Sequence, residues 1–206
     1  MKKVTRREVV TGIFSIASLS AVAGNVMANI LTPRAAEGPF YPLKSMRMQD
    51  TDNDLVKVSS KVEQAGGEVV HLTGQLKSKQ GKVLVGHCIE IWQCDVNGKY
   101  LHTGDDRNLE YDSGFQGFGH DITDADGNYR FRTIKPSIYP GRTPHIHVKV
   151  FKGERELLTT QFYIADDMNN TRDSLYRRMS EKQAQAVSMV FTKDKGRVET
   201  RVDIIV

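Results

Sequence analysis

Along most of the chain, apolar and polar residues alternate in short runs bounded by turn residues, the period of half-buried β-strands. Such runs span Val69–Gln75, Val83–Asp95, Tyr129–Ile134, His145–Phe151, Leu157–Ile164 and Val198–Val206. Asn97-Gly98 and Asp126-Gly127-Asn128 supply residues that tolerate positive φ at turns, and Lys152-Gly153-Glu154 closes a hairpin. Thr171–Val190 alone has a helical period, with Leu175, Met179 and Val187 on its inward face. Residues 29–66 carry prolines, glycines and charges without a period and read as an extended arm. The pattern predicts a mainly β fold, an antiparallel β-sandwich over residues 67–206, with that arm and one long functional loop at residues 96–128.

The first 28 residues break the pattern. A basic start (Lys2, Lys3, Arg6, Arg7) leads into an apolar run and a small-residue end at Val26-Met27-Ala28, the layout of an export signal. Thr5-Arg6-Arg7-Glu8-Val9-Val10 resembles the twin-arginine signature, although an ordinary secretory signal with adjacent arginines has the same look. The expectation is an exported, periplasmic protein, free of the membrane once residues 1–28 are removed. Their removal also changes the charge. Of 29 Lys and Arg and 25 Asp and Glu, these residues hold four and one, so the remainder carries only +1 against +4 for the whole chain. That balance argues against nucleic acid as a partner. Hydrophobic residues at 39% supply a core. Cys88 and Cys94 lie on one strand, about 20 Å apart at strand rise. That is too far for a disulfide, and their spacing makes no zinc site.

Pro144-His145-Ile146-His147 carries the clearest chemistry. On a strand His145 and His147 share a face with Cα atoms about 6.6 Å apart, while Ile146 points the other way. Two such imidazoles suit one metal ion, and a half-exposed strand that happens to carry two histidines accounts for the pair as well. Upstream, Tyr139 and Arg142 stand within six residues of them. A tyrosinate is a hard anionic ligand that, with imidazole, favours iron(III). Such a site needs a second tyrosine.

Here the chain resembles the intradiol ring-cleavage dioxygenases, in particular their protocatechuate 3,4-dioxygenase branch. The likeness runs over roughly residues 32–165. It is carried by Thr32-Pro33, Glu37-Gly38-Pro39-Phe40-Tyr41-Pro42, Ile89-Glu90-Ile91-Trp92-Gln93, the run from Asp124 to Pro136, Tyr139-Pro140 and His145-Ile146-His147. The resemblance implies an Fe(III) cofactor held by Tyr100, Tyr139, His145 and His147, with Tyr111 as the rival of Tyr100. It implies Arg142, Gln161 and Tyr100 as catalytic residues, and Trp92, Gly141 and Arg142 at the substrate. Tyr129 reads as core, and His71, His87, His102 and His120 as structural or solvent-facing.

The implied reaction opens a catechol between its hydroxyl-bearing carbons with dioxygen, to a cis,cis-muconate-type product. A homo-oligomer is allowed, with the arm crossing between subunits. Gly141 departs from the branch, which has a tryptophan there and a longer insertion before the histidines, so the particular catechol stays open. Two other readings stand beside this one: a β-sandwich binding module without catalysis, and a different metal-dependent enzyme using His145 and His147.

Overall fold

The computed structural model describes residues 30–59, 61 and 63–206, so the export signal expected at 1–28 lies outside the described residues. Among the described residues, ten strands form two five-stranded sheets. In the first, β1 (Val69–Lys77) is central. It pairs antiparallel with β4 (Asn128–Ile134), and parallel with β9 (Arg197–Arg201) and β10 (Ile204–Ile205); β8 (Thr192–Asp194) flanks β9. The second runs β3 (Phe118–Ile122), β2 (Cys88–Trp92), β5 (His145–Lys152), β6 (Arg155–Ile164), β7 (Ser188–Met189). The mainly β sandwich is thus as the alternation predicts, with parallel pairings added to both sheets.

Inward residues of the two sheets make the main core. Leu72, Leu76 and Phe131 come from the first, and Ile89, Ile91, Ile146, Val148, Val150 and Phe162 from the second. The sheets close tightly at Gly74. A Cβ there would sit 1.9 Å from the Val202 carbonyl oxygen and 2.5 Å from Tyr129 Oη, which itself donates to that carbonyl at 2.6 Å. Gly74→Ala is therefore expected to lower stability by about 1–3 kcal/mol or more, read as an earlier midpoint in urea unfolding.

Four expectations need correction. The run Val83–Asp95 yields only Cys88–Trp92 as strand, because Gly86 takes φ +70 and turns the chain before it. The loop 96–128 contains β3, which pairs antiparallel with β2; Gly119, placed where a Cβ would meet the Asp52 carbonyl at 2.3 Å, hides its strand character. Val198–Val206 is split, since Asp203 Oδ1 takes the Gln75 N–H that a strand residue's carbonyl would otherwise accept. Finally, Thr171–Val190 is helical only at α1 (Glu181–Ala186), started by a capping box between Ser180 and Gln183. Before α1 the chain makes short 3-10 turns, and the Asp173 carboxylate binds the N–H groups of Leu175 and Tyr176. Both cysteines are free.

The arm decides where the site lies. β5 is buried on both faces: Ile146, Val148 and Val150 enter the core, while His145, His147 and Lys149 face outward and are covered by residues 33–47. The arm is sewn to the sheets by backbone and side-chain bonds. Thr32 N–H donates to the Ile205 carbonyl at 3.0 Å and Ile205 N–H to Thr32 Oγ1 at 2.8 Å. Ala35 N–H donates to the Thr159 carbonyl and Thr160 Oγ1 to the Pro33 carbonyl. Lys149 is held between Glu37 and Glu156, with its ammonium 3.9 Å from the centre of the Tyr41 ring. Tyr41 in turn donates to Glu90 at 2.6 Å.

Candidate active site

Under the arm, on the outer face of the second sheet, lies a small aromatic cluster of Trp92, Cys94, Tyr100 and Phe118, packed by Phe40, Tyr41 and Tyr139. Strand register builds its centre. Trp92 and His147 are direct cross-strand partners, as are His147 and Gln161, so all three project to the same face. The Trp92 indole stacks on the His147 ring, 4.6 Å between centroids and 11° between planes. Trp92 thus stands behind His147, 1% exposed, and its indole N–H has no partner among the described residues.

Three donor atoms meet in front of that stack. His145 Nε2 and His147 Nε2 are 3.0 Å apart, and Tyr100 Oη is 3.1 Å from His147 Nε2. His145 Nδ1 is 2.7 Å from the Thr143 carbonyl. A carbonyl only accepts, so Nδ1 carries the hydrogen and Nε2 presents a lone pair inward. Burial, then the charge of Arg142, lowers the His145 pKa to about 4, and burial with His145 and Arg142 drives that of His147 well below the ordinary range. Both rings are neutral at pH 7. Burial holds the Tyr100 phenol well above its usual pKa, with Cys94 adding to the rise and Arg142 opposing it, so its ionisation calls for a cation beside it.

Tyr100 is placed by its loop. Asp95 accepts from the N–H groups of Asn97, Lys99 and Asp112, and buried Asp105 accepts from Tyr100 N–H at 2.8 Å and binds Arg107. The structure brings Tyr100, and not Tyr111, to the histidines: Tyr111 donates to the Phe115 carbonyl and packs against the main core. Tyr139 is half-buried. Its ring lies 5.6 Å from those of Tyr100 and Phe40, and its hydroxyl has no hydrogen bond among the described residues. It opens the turn Tyr139-Pro140-Gly141-Arg142, closed by Arg142 N–H to the Tyr139 carbonyl at 3.0 Å with Gly141 at φ +79. A Cβ on Gly141 would meet nothing within 4 Å.

Arg142 donates through Nε to Asp173 at 2.7 Å and through Nη2 to Gln161 Oε1 at 2.6 Å. Fully buried Gln161 also accepts from Tyr163 Oη and donates to the Ala36 carbonyl, with its amide nitrogen 3.4 Å from His147 Nδ1. Gly38, at φ +80, passes so close that a Cβ would lie 3.3 Å from His147 Cε1, and Phe40 stacks on Tyr100 at 4.8 Å. His102 only edges Phe40. Sequence reasoning missed Gly38, Asp105 and Asp173. Gly38 had a signal, lying in the matching Glu37-Gly38-Pro39-Phe40 motif; the two aspartates had none.

The trio suits a metal ion. Metal–imidazole bonds of about 2.0–2.1 Å meeting at right angles leave neighbouring donor atoms about 3 Å apart, the spacing found here.

Known proteins share the fold and much of the sequence. The family model described as Dioxygenase matches residues 36–205. The protocatechuate 3,4-dioxygenase beta chain of Burkholderia cepacia is 34% identical over 184 residues, covering 78% of this chain and 77% of that one. The catechol 1,2-dioxygenase of Candida albicans is 30% identical over 151 residues, 63% of this chain and about half (48%) of its own length. Among solved structures, the dioxygenase domain of a dioxygenase carbohydrate-binding protein fusion from Streptomyces sp. SirexAA-E superposes with a TM-score of 0.64. It has 31% identity, and the match covers 86% of this chain and 98% of that one. On fold, matched span and identity together, the chain belongs to the intradiol ring-cleavage dioxygenase family.

Proposed function

We propose that this protein is an iron(III)-dependent intradiol dioxygenase that opens a catechol-type ring with dioxygen to a cis,cis-muconate-type product. The convergence of His145 Nε2, His147 Nε2 and Tyr100 Oη within 3.0–3.1 Å carries the reading. Tyr100, Tyr139, His145 and His147 would hold the ferric ion, which when bound supplies Lewis-acid polarisation and orientation of the two catechol oxygens.

The chain's own residues do the rest. One tyrosinate oxygen of the pair Tyr100 and Tyr139 is the proton acceptor that the chain itself supplies to the incoming catechol. Arg142 keeps a cationic edge against the ring as negative charge develops on the substrate, an electrostatic contribution of the kind that dominates many reactions. Gln161, fixed by Arg142 and Tyr163, holds the arm carbonyl of Ala36 in place. Gly38 and Phe40 exclude water from above His147 and Tyr100. Trp92 backs His147 and does not touch the substrate in this reading. The open space beside Gly141 supports a substrate range that admits substituted catechols.

The export segment adds a periplasmic location, reached in folded form by the twin-arginine route. No helix among the described residues is long and apolar enough to cross a membrane.

The test is iron quantification and a visible spectrum on the mature domain, before and after anaerobic catechol, then oxygen uptake on a panel of catechols. About one iron per chain, a red-brown colour and a band that moves with catechol are expected. A protein still colourless after iron(III) loading overturns the reading and leaves a binding module.

A further inference from the structure

Asp173 lies between two short 3-10 turns, in a segment with no motif. Its carboxylate is buried, yet both oxygens are fully used. Oδ1 accepts from Leu175 N–H at 2.8 Å and Tyr176 N–H at 3.0 Å; Oδ2 accepts from Arg142 Nε at 2.7 Å and Thr143 N–H at 3.0 Å. Among the described residues it is the one acid paired with Arg142. The neighbouring Asn170 takes the Thr143 hydroxyl at 2.8 Å while its own amide is tied to the Ile164 carbonyl, so the same segment grips the strand entry twice.

Arg142 is long and flexible, and two acceptors on its Nε and Nη2 edges fix the plane of its guanidinium. Asp173 holds the first. With the plane fixed, Nη2 meets Gln161 Oε1, and Gln161 is thereby turned so that its NH2 faces the Ala36 carbonyl and His147 Nδ1. Nη1 makes no hydrogen bond among the described residues and is left for a ligand.

We propose that Asp173 is the positioning residue of the ring-opening reaction, acting through Arg142 to set both the cationic edge and the orientation of Gln161. This rests on the dioxygenase reading above, and its geometric half does not.

Two variants test it. Asp173→Asn keeps an acceptor for Leu175 and Tyr176 and turns a donor against Arg142 and Thr143. Asp173→Ala removes both oxygens, so that an amide turned over in the first variant cannot mask the effect. In iron-loaded protein we expect kcat to fall roughly 100-fold with KM within about threefold, and the ferric band and iron content to stay as in wild type. In an Arg142→Ala background the same changes should cost no more than about twofold, because the residue they act through is gone. An equal factor in both backgrounds marks Asp173 as merely structural and overturns the proposal.

The second readout needs no metal. In metal-free protein the Arg142 Nε–H resonance, assigned by its loss in Arg142→Lys, should exchange slowly in wild type and fast in Asp173→Ala. Equal exchange in both also overturns it. If the wild type opens no catechol, the dioxygenase reading has failed, and the resonance alone decides whether Asp173 sets Arg142.

Discussion

His147→Ala should abolish iron retention and ring opening together. His147 is the middle member of the trio: its Nε2 faces both His145 Nε2 at 3.0 Å and Tyr100 Oη at 3.1 Å. Without it, His145 and Tyr100 have no shared neighbour at donor distance. Loss of a group that merely supports a metal ligand already costs about 10–100-fold in affinity or activity, and loss of a direct ligand should exceed that range. The variant also removes the ring on which Trp92 stacks, so a modest stability loss is expected. A thermal melt separates that loss from the chemical one. The decisive measurement is iron per chain after dialysis with ferric salt, against wild type. A variant that keeps full iron and colour would remove His147 from the ligand set.

Arg142→Ala should do the opposite: keep the iron and lose the reaction. Arg142 does not touch the trio itself but reaches it through Gln161 and through Asp173 and Thr143, so colour and iron content should match wild type. Turnover should drop by about 10²–10³, the scale seen when one preorganised group stabilising developing charge is removed. Stability falls too, because Asp173 is left buried with three neutral donors and no cation, a change on the order of 1–3 kcal/mol. Arg142→Lys should recover little. A single ammonium cannot reach both Asp173 and Gln161 and still present an edge to the substrate. Steady-state oxygen uptake beside the visible spectrum reads both quantities. Wild-type turnover in Arg142→Ala would exclude Arg142 from the chemistry.

The sequence displayed the parts of this site that depend on strand period. Alternation around His145-Ile146-His147 set both imidazoles on one face, and β5 has that face. The same alternation is silent about what lies over the face. It reads as half-exposed, whereas the arm buries it, since the arm's contacts with β6 and β10 are made across more than 120 residues of chain. The choice between Tyr100 and Tyr111 was equally invisible locally. Both sit in one polar loop, and the difference lies in Asp105 and Asp95, whose carboxylates fold that loop by bonding backbone N–H groups. Aspartates in loops are too common to mark such roles. The helix expected over 171–190 failed for a related reason: Asp173 spends its carboxylate on Leu175, Tyr176, Thr143 and Arg142, and the backbone follows the side chain.

The knot between Thr32 and Ile205 has a consequence for the order of folding. These residues are 173 positions apart, and β1, the first strand made, waits for β9 and β10, the last, to fill one of its edges. Pairings of such high sequence separation form late and slowly. Until β10 has formed, the arm has no Ile205 to fasten to, and the cover over His147 and Tyr100 is untied at that end. Fastening of the arm at Thr32 therefore follows the pairing of the last two strands with β1 and comes after the middle of the sandwich has formed.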